Sequence, residues 1–185
     1  SVMIATRNRW DSLAVALSSL LDQKNPPRYN VIVLDDASST EVPTDLVEST
    51  SRAAIEVLWF RSPSNLGTAK SKNRLLELTK SEFCCFCDDD DYWPTSTLEK
   101  LWRTQQLSGA PLVIGYPSAS SAALHSRVPA STVRLSDLMR LGVTPPVSCQ
   151  MFETRMLGLV SGFNPSIRSG VDHDLWIRLL RQDPL

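Results

Sequence analysis

The chain has 185 residues, 42% of them hydrophobic and 21% charged, with a formal net charge of −1. That length holds one domain with a real core and is short for two. The near-neutral balance argues against bulk nucleic-acid binding, which draws on a basic excess.

Val2 to Thr6 reads as a short strand, followed by the turn Arg7-Asn8-Arg9. From Trp10 to Leu21 the residues Leu13, Ala16, Leu17, Leu20 and Leu21 share one helical face, and Asn25-Pro26-Pro27 stops the pattern. Val31 to Leu34 is a continuous apolar strand ending in Asp35-Asp36. Ile55 to Phe60 is a third strand, Leu66 to Thr79 a helix, Phe83 to Cys87 a fourth strand, and Thr95 to Leu107 a helix again. This alternation, with strands apolar throughout, predicts an α/β fold: a mostly parallel sheet with helices on both faces.

Beyond Pro111 the rhythm loosens. Leu112 to Tyr116 and Ser148 to Phe152 are strand candidates, Ser118 to Ser131 reads as a loop, and Leu135 to Leu141 and Arg155 to Leu159 as short helices. A last helix starts near Asp172 with Leu175, Trp176, Leu179 and Leu180 on its apolar face. No repeat or linker divides the chain, so one domain is expected. No apolar run approaches the roughly 18–20 residues of a membrane helix, and no basic-then-apolar leader is present. The chain starts almost directly in an apolar stretch and stops just after a helical one, so it reads as a piece trimmed at one or both ends.

Cys84, Cys85 and Cys87 sit in an apolar run at spacings that suit neither pairing nor zinc. With Cys149 they are expected as small core residues of a reducing compartment. The acidic residues are more telling. Ligands of open α/β sheets bind at the carboxyl ends of the strands. Asp35-Asp36 ends the second strand and Asp88-Asp89-Asp90-Asp91 ends the fourth, so two acidic clusters reach one sheet edge. Adjacent carboxylates repel, and a hard divalent cation such as Mg²⁺ or Mn²⁺ relieves that and binds a diphosphate in turn. The other reading of the cluster is a solvated turn capping the helix near Thr95.

Taken together, Ser1 to Arg9, Val31 to Ser39 (VIVLDDASS), Asn65-Leu66-Gly67 with Ser71-Lys72-Asn73, Phe86 to Asp91, and Gly162-Phe163-Asn164 with Gly170 to Arg178 resemble the inverting family-2 glycosyltransferases of the GT-A fold. The matches run in family order from Ser1 to Arg178. The resemblance implies a single Rossmann-like GT-A domain, with residues 1–110 as nucleotide-binding half and 111–185 as acceptor-side half. It implies transfer of a sugar from a nucleotide-sugar, UDP-sugar favoured, to a glycan, lipid-linked or other hydroxyl acceptor. It implies no nucleic-acid partner, and a cytoplasmic location that extends to the cytoplasmic face of a membrane.

Roles carried over from the resemblance give Asp35, with Asp36 beside it, the nucleotide base, and Thr6 and Asn8 the same pocket. Asp88 would contact the ribose, and Lys72 and Asp89 join the donor-binding set. Asp90 would ligate Mn²⁺ or Mg²⁺, with Asp91 on the metal side, supporting the loop or facing the sugar. Asp172 would be the general base that takes the acceptor proton. The sequence departs from the family at Val171, where an acidic residue usually precedes the base, at Ala37 for Gly, and at Lys72 for Arg. Read locally, Asp172 is more readily an N-cap than a base, and only its place in the family block reverses that. Trp176 and Arg178 are packing and scaffold, and Trp93 is core or pocket wall. Two rival functions stay open: a nucleotidyltransferase, disfavoured because Thr6 to Arg9 holds no Gly, and a non-catalytic nucleotide- or carbohydrate-binding module.

Overall fold

A strand with no polar residue on either side of its pleat has to be covered on both faces, and Val31 to Leu34 is such a strand. The computed structural model, which describes residues 1–115 and 146–182, covers it with helices on each side. The strands are β1 (Val2–Thr6), β2 (Val31–Asp35), β3 (Val57–Arg61), β4 (Phe83–Phe86), β5 (Leu112–Ile114) and β6 (Gln150–Glu153). They form one sheet in the order β3-β2-β1-β4-β6-β5. β1 to β4 pair in parallel, while β6 pairs antiparallel with both β4 and β5. The helices are α1 (Trp10–Leu21), α2 (Thr44–Ser51), α3 (Thr68–Leu78), α4 (Thr97–Ser108), α5 (Thr154–Leu159) and α6 (Val171–Gln182).

The period-2 pleat sorts the core. Val2, Ile4, Val31, Val33, Cys85 and Cys87 point to the face covered by Leu13, Leu17 and Leu20 of α1 and Leu98 and Leu101 of α4. Met3, Ile32, Leu34, Cys84 and Phe86 point to the other face, under Leu75 of α3, Leu157 of α5, and Leu175 and Leu179 of α6. The predicted α/β architecture is therefore the observed one. Burial pushes the Cys84 thiol up to about 11 and raises Cys85 and Cys87 further, so these free thiols are core residues with little thiolate character. Trp93 is core, 3% exposed beneath α1 and α4. Among the described residues no helix is long and apolar enough to cross a membrane.

Several boundaries differ from expectation. α2 is not marked in the sequence because its eight residues hold only two apolar side chains, Leu46 and Val47; Leu46 packs on the core and Thr50 is buried. β3 starts at Val57 and runs to Arg61, in register with β2 from Val31↔Val57 to Asp35↔Arg61. α3 starts at Thr68 because the amides of Leu66 and Gly67 are taken by Asp36 and Gly67 has φ 78°. α4 starts at Thr97, and Val147–Cys149 is a 3-10 turn ahead of β6. Tyr116, the expected loop Ser118 to Ser131 and the expected helix Leu135 to Leu141 lie outside the described residues.

One close approach ties the C-terminal segment to α3. Asn73 Nδ2 donates to the Phe163 carbonyl at 2.8 Å, and the Phe163 amide donates back to Asn73 Oδ1 at 2.7 Å. Gly162 makes room for this pair: its φ is +65°, and a Cβ there would stand 2.3 Å from Asn73 Oδ1. Gly162→Ala is therefore expected to cost about 2–4 kcal/mol, from left-handed backbone strain plus overpacking. Gly158→Ala, whose added Cβ meets nothing within 4 Å, is the control and should be neutral or slightly stabilising. Urea unfolding of both variants checks this, and equal midpoints would contradict the clamp.

Candidate functional site

Parallel register sets the site. Thr6 pairs with Asp35 and Asp35 with Arg61, so three strand ends finish level at the carboxyl edge. The Cys87 amide bonds to the Met3 carbonyl at 2.9 Å, which brings the acidic run after β4 to the same edge. Strand order reverses here, since β1 is flanked by β2 on one side and β4 on the other. An open cleft of about 630 Å³ lies over this point. Thr6, Asp36, Lys72, Asp88, Asp89, Asp90 and Asp172 all line it.

The β2 end is built from satisfied carboxylates. Asp36 accepts the amides of Leu66 at 2.7 Å and Gly67 at 3.0 Å. Asp35, 4% exposed, accepts the Ser38 amide at 2.9 Å and Arg61 Nη1 at 2.7 Å. Asn8, at φ 57°, accepts the Ser39 amide at 2.7 Å and donates its own amide to Ser38 Oγ at 2.8 Å. Asp35 and Asn8 thus brace the loop beside the cleft and are not among its lining residues.

The four consecutive carboxylates have four different surroundings. Asp89 is 1% exposed, accepts Thr6 Oγ1 at 2.7 Å and Arg9 Nε at 3.1 Å on one oxygen, and meets Arg9 Nη2 at 2.5 Å on the other without hydrogen-bond geometry. Burial raises its pKa above 3.8, against the downward pull of the Thr6 hydrogen bond and the Arg9 charge. Asp90 is 55% exposed and pairs with Arg9 Nη1 at 2.8 Å. Asp88, 43% exposed, lies 3.4 Å from Lys72 Nζ. Asp91 closes the turn through its amide, 3.0 Å from the Asp88 carbonyl, and does not line the cleft.

Lys72 is buried, with its ammonium 3.4 Å from Asp88 and 3.6 Å from Asp172. Asp172 is the second residue of α6, inside the first turn. The N-cap position falls to Gly170, whose carbonyl accepts the Asp174 amide at 3.0 Å. Asp174 pairs with Arg178 Nε at 2.7 Å, and Arg178 Nη1 reaches the Val160 carbonyl at 2.5 Å. Trp176 packs on Leu112 and Ile114 at 1% exposure. Arg178 and Trp176 are accordingly scaffold. Sequence reasoning passed over Arg9, Arg61 and Arg168, of which Arg9 and Arg168 line the cleft. The signal available for Arg9 was charge: a basic turn after β1 faces an acidic turn after β4.

Removing Arg9 leaves Asp89 buried with Thr6 alone. Arg9→Ala should cost about 1–3 kcal/mol at neutral pH, the range for an unsatisfied buried acceptor. A raised folded pKa means that stability from this group is full below 3.8 and is lost as pH rises through the folded value. Arg9→Ala raises that folded value further, so its deficit should shrink as pH falls toward 4 and shrink also when Asp89→Asn is added. Chemical unfolding at several pH values measures this, and a deficit constant with pH would remove Asp89 as its cause.

The family model described as glycosyl transferase family 2 matches residues 1–167. An uncharacterized glycosyltransferase of Haemophilus influenzae is 24% identical over 191 residues, covering 98% of this chain and 62% of the relative. The crystal structure of S. aureus TarS 1-349 superposes with a TM-score of 0.78 at 21% identity, covering 97% of this chain and 54% of that one. TarS is also known in complex with UDP and with UDP-GlcNAc. The mannosyltransferase PcManGT of Pyrobaculum calidifontis, in complex with GDP-Man and Mn²⁺, gives a TM-score of 0.73 at 20% identity, covering 93% of this chain and 49% of that one. The chain spans between about half and two thirds of the length of these proteins. By sequence over most of its length, and by a GT-A fold whose cleft lies at the carboxyl edge of the sheet, this chain belongs to glycosyl transferase family 2.

Proposed function

We propose that the cleft holds a nucleoside-diphosphate sugar, with UDP-sugar favoured, and that the sugar passes with inversion to an acceptor hydroxyl. One observation carries this reading: Asp172 of α6 and the acidic run after β4 line the same cleft, at the edge where open α/β sheets bind ligands. Family membership supports it, as do the UDP-GlcNAc complex of TarS and the GDP-Man complex of PcManGT, which share this fold.

Thr6 and Asp36 meet the nucleotide, with Asp35 and Asn8 setting the loop around its base, while Asp88 and Asp89 serve the ribose side. A Mg²⁺ or Mn²⁺ ion fits the donors on offer. Asp88 and Asp90 are half-exposed carboxylates in the cleft, and among the described residues no group of three or more His, Cys, Asp or Glu converges. Such an ion takes one or two protein carboxylates and completes its shell from phosphate and water. Asp90 would hold it, with Asp91 bracing the turn, and the Mn²⁺ in PcManGT is in keeping with that assignment. When bound, the ion neutralises the leaving diphosphate.

Asp172 accepts the proton of the acceptor hydroxyl as the oxygen bonds to the anomeric carbon. The bond from that carbon to the diphosphate oxygen breaks on the opposite face, and its electron pair leaves with the diphosphate. A single displacement of this kind inverts the anomeric centre.

Asp172→Asn should lower transfer by about 10²–10⁴-fold, the span of general-base catalysis, with donor binding intact. Near-normal turnover would take the base role away from Asp172. In a melting assay, UDP with Mn²⁺ at 100 times its dissociation constant should stabilise the fold by about 2.7 kcal/mol. That gain should vanish with EDTA and in Asp90→Ala; a gain that survives both would exclude the metal-diphosphate arrangement.

A further inference from the structure

Two neighbours on α3 both end on the C-terminal segment. Asn73 exchanges its two hydrogen bonds with Phe163, and Lys72 reaches Asp172. Lys72 is 6% exposed, with its ammonium 5.8 Å from the centroid of the Phe86 ring and 5.6 Å from that of Phe163. Its carboxylate partners among the described residues are Asp88 at 3.4 Å and Asp172 at 3.6 Å. A lysine this deep is costly unless paired. Here the pair comes from two parts of the chain 84 positions apart, 172 against 88, that no strand pairing joins directly.

We propose that Lys72 is the positioning residue of the transfer reaction: its buried ammonium holds the Asp172 carboxylate at the cleft and ties it to Asp88 of the donor loop. This rests on the reading of Asp172 as the base. An ammonium is a compact point charge with three donors on a flexible stem, so one Nζ can serve two carboxylates arriving from different directions. The rings of Phe86 and Phe163 add attraction for the cation and close off other positions for it. Asn73 fixes the chain at Phe163, nine residues ahead of Asp172, and Lys72 fixes Asp172 itself, so α3 grips the segment at both ends. A donor ligand acts mainly on KM, whereas a residue that aims the base acts on kcat.

The test compares Lys72→Met and Lys72→Arg with the wild type in the whole protein, by steady-state transfer and by hydrogen exchange of residues 168–174. Lys72→Met is expected to lower kcat by about 100-fold, the scale of a misplaced catalytic group, with donor KM within about 3-fold of wild type. Exchange over residues 168–174 should rise, and Lys72→Arg should recover most of both. Normal kcat in Lys72→Met, a loss confined to donor KM, or unchanged exchange at the start of α6 would each overturn the proposal. If Lys72→Met does not fold, Lys72→Gln replaces it with the same expectations. A wild type that binds UDP but transfers nothing overturns the base reading of Asp172 and the catalytic part of this inference. The exchange comparison then still decides whether Lys72 holds α6.

Discussion

An ammonium taken out of water loses several kcal/mol of hydration even after a protein relaxes around it, and Lys72 is such a group. It is retained between Asp88 and Asp172, against two aromatic rings, where it meets both the sheet edge and the last helix. α3 itself is seated by Ala69 and Leu75 on the sheet core. Its next residue, Asn73, spends both ends of its amide on Phe163. Asp172 is thus placed both by α6, which packs Leu175 and Leu179 on the sheet, and by its contact with Lys72 of α3. Removing both carboxylates would leave the buried ammonium uncompensated, which is the costly case.

The start of α3 is fixed by the same logic of charge. Asp36 follows β2 and takes the two amides ahead of Thr68, placing a negative charge at the positive end of the helix. One carboxylate so joins a strand end to a helix start. Asp35 is satisfied in the same way by Ser38 and Arg61. The carboxylates that stay half-exposed in the cleft, Asp88 and Asp90, each carry one cationic partner, Lys72 and Arg9, and keep solvent-facing surface.

The acidic turn is held at each end by polar groups of the core. Ser148 Oγ accepts the Asp88 amide at 3.3 Å, and Ser19 Oγ accepts the Trp93 amide at 3.1 Å. Gln23 continues the anchor, donating to the Pro94 carbonyl at 2.9 Å and accepting the Leu98 amide at 3.0 Å. With Trp93 buried between α1 and α4, the turn has little freedom to collapse on itself, and repulsion among its carboxylates is managed by Arg9 and Lys72. Such preorganisation suits the proposed binding of a donor diphosphate without prior rearrangement.

Sequence alone determined what depends on period and composition. Apolar runs marked four parallel strands, acidic residues marked the carboxyl ends of the second and fourth, and helical spacing marked α1, α3, α4 and α6, because burial on two faces forces those patterns. The meeting of Asp36 with Asp88 to Asp90 at one edge was legible for the same reason, since strand direction dictates which ends share an edge. Asp172, on a helix, was placed there by the family resemblance alone. α2 was not legible, since a two-turn helix with two apolar residues gives too short a pattern to read. Nor were the partners of each carboxylate. Four adjacent aspartates read alike as letters, yet Asp89 is buried on Thr6 and Arg9, Asp90 is exposed, Asp88 shares Lys72, and Asp91 stands off the cleft. The resemblance makes Lys72 a donor-binding residue, and only the fold sets it between two carboxylates 84 positions apart, 88 and 172. Those assignments were decided by tertiary structure, because they depend on distances between residues far apart in the chain, which local sequence does not encode.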